Sequence, residues 1–132
     1  MKKTMAIVLA VIMLLGIATT ALAETAKFTN FKLSNGVDGK QQSPTVEKTT
    51  ETNYSSKTEI TSIKGATASE PMVARVRRED GKRASGSFDV SAKGTYWNTW
   101  YSGYGTKGER YYLRMQNTTN GPTITVSGKF TP

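Results

Sequence analysis

Residues 72–90 read MVARVRREDGKRASGSFDV. Met72, Ala74 and Val76 fall on one side of an extended chain and Val73, Arg75 and Arg77 on the other, because successive side chains of a strand point to opposite faces. Glu79-Asp80-Gly81-Lys82 then supplies turn residues, and Phe88 and Val90 give the following strand an inward apolar pair. The period is two rather than 3.6, so the segment predicts two strands joined by a turn, with one apolar face and one arginine-bearing face.

Working outward, the same period recurs. Tyr96, Asn98 and Trp100 alternate against Trp97, Thr99 and Tyr101, so both faces of that strand carry aromatic rings. Tyr111, Leu113 and Met115 oppose Arg110, Tyr112, Arg114 and Gln116, and Ile124, Val126 and Phe130 oppose Thr125, Ser127 and Lys129. Toward the N-terminus, Lys27 to Leu33 is a short strand closed by the turn signals Asn35-Gly36 and Asp38-Gly39. After the Gln41 to Pro44 break, Thr45 to Tyr54 reads as an edge strand or hairpin arm with weak alternation. Thr58 to Ile63 is a further strand, followed by a loop into Pro71. Short strands at a spacing of about ten residues predict an all-β fold, an antiparallel β-sandwich of Greek-key or jelly-roll type.

The N-terminus reads differently. Met1-Lys2-Lys3 is a short positive segment, Met5 to Ile17 is almost wholly apolar, and Ala21-Leu22-Ala23 has the A-x-A form of a signal-peptidase site. Residues 1–23 are therefore expected to be a signal helix preceding a single domain at 24–132, of which 24–71 is the more polar and looser part. The predicted localisation is secreted, extracellular or associated with the cell wall. The chain has no cysteine, so an exported domain of this size is expected to rest on a packed core rather than on disulfides.

Charge is unevenly placed. Residues 24–71 hold six lysines and six acids, whereas from Met72 onward four lysines and six arginines face only Glu79, Asp80, Asp89 and Glu109. The densest basic cluster is Arg75, Arg77, Arg78, Lys82 and Arg83. An exported protein with one basic half is drawn to anionic surfaces: wall polymers, acidic glycans or lipid headgroups. No nucleic-acid recognition fold accompanies the cluster, so nucleic acid is not an expected partner.

The stretch from Thr95 to Leu113 holds both tryptophans and five of the six tyrosines. Trp97 and Trp100 have opposite parity, so one is expected inside and one outside. Trp97, Trp100, Tyr101, Tyr104 and Lys107 are the candidate ligand contacts, since flat rings with wet polar tips stack well on sugars. Gly103 to Gly108 formally matches G-x-G-x-x-G, but a strand follows where a dinucleotide site needs a helix, so it reads as a hairpin loop. With neither histidine nor cysteine in the sequence, Ser-His-Asp and Cys-His nucleophiles and thiolate or imidazole metal sites are excluded. Asp89 and Glu109 are the one carboxylate pair placed to flank the aromatic stretch as a glycosidase would need. No cofactor, metal or enzymatic activity is expected.

The closing pattern YYLRMQNTTNGPTITVSGKF, residues 111–130, together with the export signal and the aromatic strand, resembles small exported proteins of Gram-positive bacteria with a C-terminal β domain of unknown function. The WYSGYGTKG segment, residues 100–108, bears a fainter likeness to lactococcin-like bacteriocins, without the histidines of that family. Both resemblances imply a non-enzymatic exported β domain. The reading is thus an envelope-associated binding or structural domain contacting anionic wall polymers or glycans, with a bacteriocin-like effector acting at a membrane surface as the alternative.

Overall fold

The structure, a computed structural model, describes residues 25–34, 40–51, 54–117 and 121–132. The expected signal helix, the Asn35-Gly36 and Asp38-Gly39 turn signals and parts of the 45–54 and 117–122 segments lie outside the described residues. The nine described strands are β1 (Ala26–Leu33), β2 (Lys40–Gln42), β3 (Val46–Glu47), β4 (Ser55–Lys64), β5 (Met72–Arg78), β6 (Arg83–Val90), β7 (Gly94–Thr99), β8 (Arg110–Asn117) and β9 (Ile124–Thr131). They form an antiparallel β-sandwich. One sheet runs β1-β9-β4-β7; the other runs β2-β8-β5-β6, with β3 continuing along β8.

The alternation that predicted the fold also builds the core. Met72, Ala74 and Val76 of β5 lie beside Tyr111, Leu113 and Met115 of β8, and all six are buried against Phe28, Leu33, Ile60, Ile124, Val126 and Phe130 of the facing sheet. Burying one such large side chain is worth about 1.5–3 kcal/mol relative to exposure. Polar pins close the side where β6 and β7 meet. Asn98 Nδ2 donates to Ser85 Oγ at 2.7 Å and to the Gly86 carbonyl at 2.9 Å. Ser85 Oγ also accepts from Val76 N at 3.1 Å, at the point where the β5–β6 register shifts between Arg75 and Arg77. On the opposite side, Asn117 donates to the carbonyls of Leu33 and Pro122.

Two elements differ from the sequence expectation. Among the described residues of Thr45 to Tyr54 only Val46–Glu47 form a strand, paired with β8, and Lys48 ends the run by exchanging backbone bonds with Glu109 and Gly108. Conversely, β4 is longer than Thr58 to Ile63 and lies between β9 and β7 in its sheet. Its inward residues include Ser56 and Thr58, both buried, so a central strand carries too few apolar side chains to advertise itself.

Candidate functional site

The outer face of the β2-β8-β5-β6 sheet is built by register. Arg75 of β5 lies opposite Arg114 of β8 on one side and Ser87 of β6 on the other. One step along, Arg77 lies opposite Tyr112 and Arg83. Arg114 in turn faces Gln42 of β2, and the next row carries Lys40, Gln116, Val73 and Asp89. Four arginines thus converge on a groove of about 230 Å³ whose lining contains no acid. Among the described residues, none of Arg75, Arg77, Arg83 and Arg114 forms an ion pair; the five ion pairs engage other cations.

Arg77 carries the consequence of that crowding. Its guanidinium donates Nη1 to the Gly81 carbonyl at 2.8 Å, while Nε is buried without a hydrogen-bond partner. Burial first, then the positive charge of Arg114 and more weakly of Arg83 and Arg75, holds its pKa below the ordinary arginine value. Like charges directly opposite on adjacent strands destabilise a sheet, so this face stores repulsion that an anion relieves.

The basic cluster predicted from sequence is therefore divided. Arg75, Arg77 and Arg83 share the groove. Arg78 turns the other way, pairing with Asp80 at 2.6 Å and Glu109 at 3.3 Å, and its bond to Asp80 pulls that carboxyl down to about 2. Lys82 sits in the turn beside Asp80. Arg114, absent from the sequence-based cluster, takes their place. Its outward parity was legible, but its pairing with β5 is a matter of topology.

The aromatic residues divide as well. Trp97 is 66% exposed, with Lys57 Nζ 5.9 Å from its ring centroid, and Tyr101 is 47% exposed. Trp100 instead packs on the core, its ring 4.6 Å from that of Tyr111. Tyr104 is half-buried under Arg78, whose guanidinium lies 5.2 Å from the ring centroid. Lys107 is exposed in the loop between β7 and β8. Tyr54, 89% exposed, joins Trp97 and Tyr101; its carbonyl accepts from Trp100 N. These three are the exposed large apolar side chains among the described residues, and all belong to the β4–β7 edge and its end. A shallow cleft of about 270 Å³ lies there between Tyr54, Tyr101 and Glu51.

Asp89 and Glu109 are not brought together. Asp89 lies opposite Val73 at one end of β5, while Glu109 precedes β8 at the other end, beside Arg78. About six residues of strand separate the two rows, on the order of 20 Å, far beyond the carboxyl spacing of a glycosidase. Glu109 is instead the acceptor for the Tyr111 hydroxyl, which accepts in turn from Gly105 N at 2.8 Å. Among the described residues, no group of three or more Asp or Glu side chains could hold a metal ion.

No protein-family model matches the chain, and no curated protein matches it. A solved structure, the crystal structure of FLHE, is similar to it at 11% identity and a TM-score of 0.47, covering 80% of this chain and 89% of that one.

Proposed function

We propose that the protein is an exported, non-enzymatic domain of the Gram-positive cell envelope that binds an anionic wall polymer or acidic glycan. The observation that carries this reading is the groove lined by Arg75, Arg77, Arg83 and Arg114 without a carboxylate among them. Guanidinium forks match planar and tetrahedral oxyanions, and each cation that meets a polyanion releases counterions. Trp97, Tyr101 and Tyr54 offer rings for the sugar portions of such a polymer.

Retention on purified cell walls tests this reading. Binding should weaken steeply between low and physiological salt. Reversal of Arg75 and Arg77 to Glu should release the protein, whereas reversal of the exposed β1 lysines Lys27 and Lys32 should have little effect. Equal losses from the two pairs would mean that net charge, not this face, does the binding.

A second reading, a secreted bacteriocin-like effector, is favoured by the exposed rings at the β4–β7 edge beside Lys57, since such rings also suit a bilayer interface. Growth inhibition by added protein, lost on replacing Trp97 and Tyr101 by Ala, would favour it over wall binding.

A further inference from the structure

The arginine groove does not end at β8. A second depression of about 260 Å³, lined by Lys40, Gln41, Gln42 and Arg114, adjoins it, and Arg114 belongs to both. The combined trough crosses β6, β5, β8 and β2. Three inter-strand steps of about 4.8 Å make it on the order of 14 Å long. Five cations line it, four of them arginines, and the acid nearest in register is Asp89 at its β6 margin.

This shape excludes a compact anion as the natural occupant, because a single phosphate or carboxylate spans one inter-strand step and leaves the remaining cations uncompensated. The pairing of cations favours phosphate over carboxylate. A carboxylate presents two oxygens in one plane and satisfies one fork. The diverging oxygens of a tetrahedral phosphate can be shared between guanidinium groups on neighbouring strands, such as Arg75 and Arg114 or Arg77 and Arg83. The aromatic residue on this face is Tyr112, which is buried. Of the exposed rings, Trp97 lies on the other sheet, and neither Tyr101, which follows β7 and bonds back to Ala84 of β6, nor Tyr54 lines the trough, so its lining offers no platform on which a nucleobase could stack.

We infer that the trough across the β2-β8-β5-β6 sheet holds one extended, base-free chain of phosphate groups, lying across the strands with Arg114 at its centre and Lys40 at its far end. This rests on the anionic-polymer reading above and adds to it the chemistry, length and direction of the ligand.

The test titrates the full protein with orthophosphate, tripolyphosphate, long-chain inorganic polyphosphate and poly(glycerol phosphate). Poly-glutamate and a single-stranded oligonucleotide of matched charge serve as comparators, with binding read by calorimetry at several salt concentrations. Long chains should bind at least about 100-fold more tightly than orthophosphate, with a log–log salt slope of about 3 to 4 for five neutralised charges. The tighter of the two phosphate polymers identifies the source by its phosphate spacing. Lys40→Glu should weaken long chains several-fold and leave orthophosphate unchanged, whereas Arg114→Glu should weaken every phosphate ligand at least about tenfold. Arg114→Gln, which keeps the side chain polar, should give the same ordering if the reversal disturbs folding.

Equal molar affinity for orthophosphate and the long chains would overturn the extended trough while leaving an anion site in place. Poly-glutamate binding as tightly as polyphosphate would overturn the phosphate assignment alone, and an oligonucleotide binding as tightly would overturn its base-free character. Polymer binding untouched by both Arg114 variants would remove this face from consideration, and the proposed function with it.

Discussion

Trp100 and Tyr111 hold their rings 4.6 Å apart at an interplanar angle of 47°, a tilted contact at the short end of the separations that aromatic pairs adopt. Gly105 covers another part of the indole so closely that a Cβ there would lie 2.5 Å from Trp100 Cδ1, and its φ is +81°. Trp100 is thus held between a ring and a backbone, while Trp97, three residues earlier, stands in solvent. Trp100→Ala should cost about 3–5 kcal/mol, a large share of the stability of a domain this size. Trp97→Ala should move the melting temperature by no more than a degree or two. Thermal melts of the two single variants check both; similar losses from the two would place both rings in the core.

Tyr111 also ties stability to alkaline pH. Burial first, and then its bond to the Glu109 carboxylate, pushes the phenol up from 10.0 to about 12. A folded-state pKa above the unfolded one favours the protonated form, so its contribution is fully present below pH 10 and is lost as pH rises toward 12. The loss should total about 3 kcal/mol over that window. Denaturant titrations at pH 9 to 12 should show a decline that Tyr111→Phe lacks; parallel declines would assign the effect to other groups.

The parts of the fold legible in the sequence are those where burial and hydrophobicity coincide. In β5, β8 and β9 every second residue is apolar and buried, from Met72 to Val76, Tyr111 to Met115 and Ile124 to Val126. The strand β4 obeys the same geometry with Ser56 and Thr58 inward, so its length was hidden by chemistry, not by period. At the site, the outward parity of Arg75 and Arg77 was visible, because parity is a local property. That Arg114 faces Arg75 depends on β8 lying beside β5 rather than beside its sequence neighbour β7, and no local pattern encodes that choice. Arg78, the last residue of β5, shares the parity of Met72, Ala74 and Val76 rather than that of Arg75 and Arg77, so it leaves the groove and pairs with Asp80 and Glu109. Tyr54 was hidden by its place in a polar stretch that is only partly strand.

Lys48 is a charge that sequence reading counts as solvated and the fold buries completely. Its ammonium has Thr50 Oγ1 at 3.4 Å and the Trp100 ring at 5.6 Å, with no carboxylate partner among the described residues. Burial accordingly lowers its pKa from the ordinary 10.5. The neutral form is favoured on folding, so the penalty is fully present below the folded-state pKa and is relieved as pH rises toward 10.5. Replacement by an apolar side chain of similar length removes an uncompensated buried charge. Lys48→Met should raise stability at neutral pH by about 1–2 kcal/mol and remove the relief that the parent gains as pH rises from the folded-state pKa toward 10.5. Chemical denaturation of the variant measures this, and a loss of stability would show that the ammonium makes a net favourable contact with Trp100.

The facing pair Arg75 and Arg114 has a thermodynamic signature that needs no ligand. Directly opposed side chains of adjacent strands have Cβ atoms about 4.5–5.5 Å apart, and pairs at that separation contribute roughly 0.2–1 kcal/mol in either direction according to sign. Arg83 and Arg77 add to the same field. Screening reaches about 10 Å at 0.1 M salt and contracts to about 3 Å at 1 M, so the repulsion is strong in dilute buffer and nearly gone in concentrated salt. Arg114→Gln should therefore be more stable than the parent by about 0.5–1 kcal/mol at 10 mM sodium chloride and indistinguishable from it at 1 M. The parent should gain stability with salt more steeply than the variant. Sodium chloride suits the comparison because chloride binds guanidinium weakly; sulfate or phosphate would occupy the face and stabilise the parent selectively, by linkage to binding. If Arg114→Gln is less stable at low salt, the four guanidinium groups are compensated within the fold and the face is not poised for an anion.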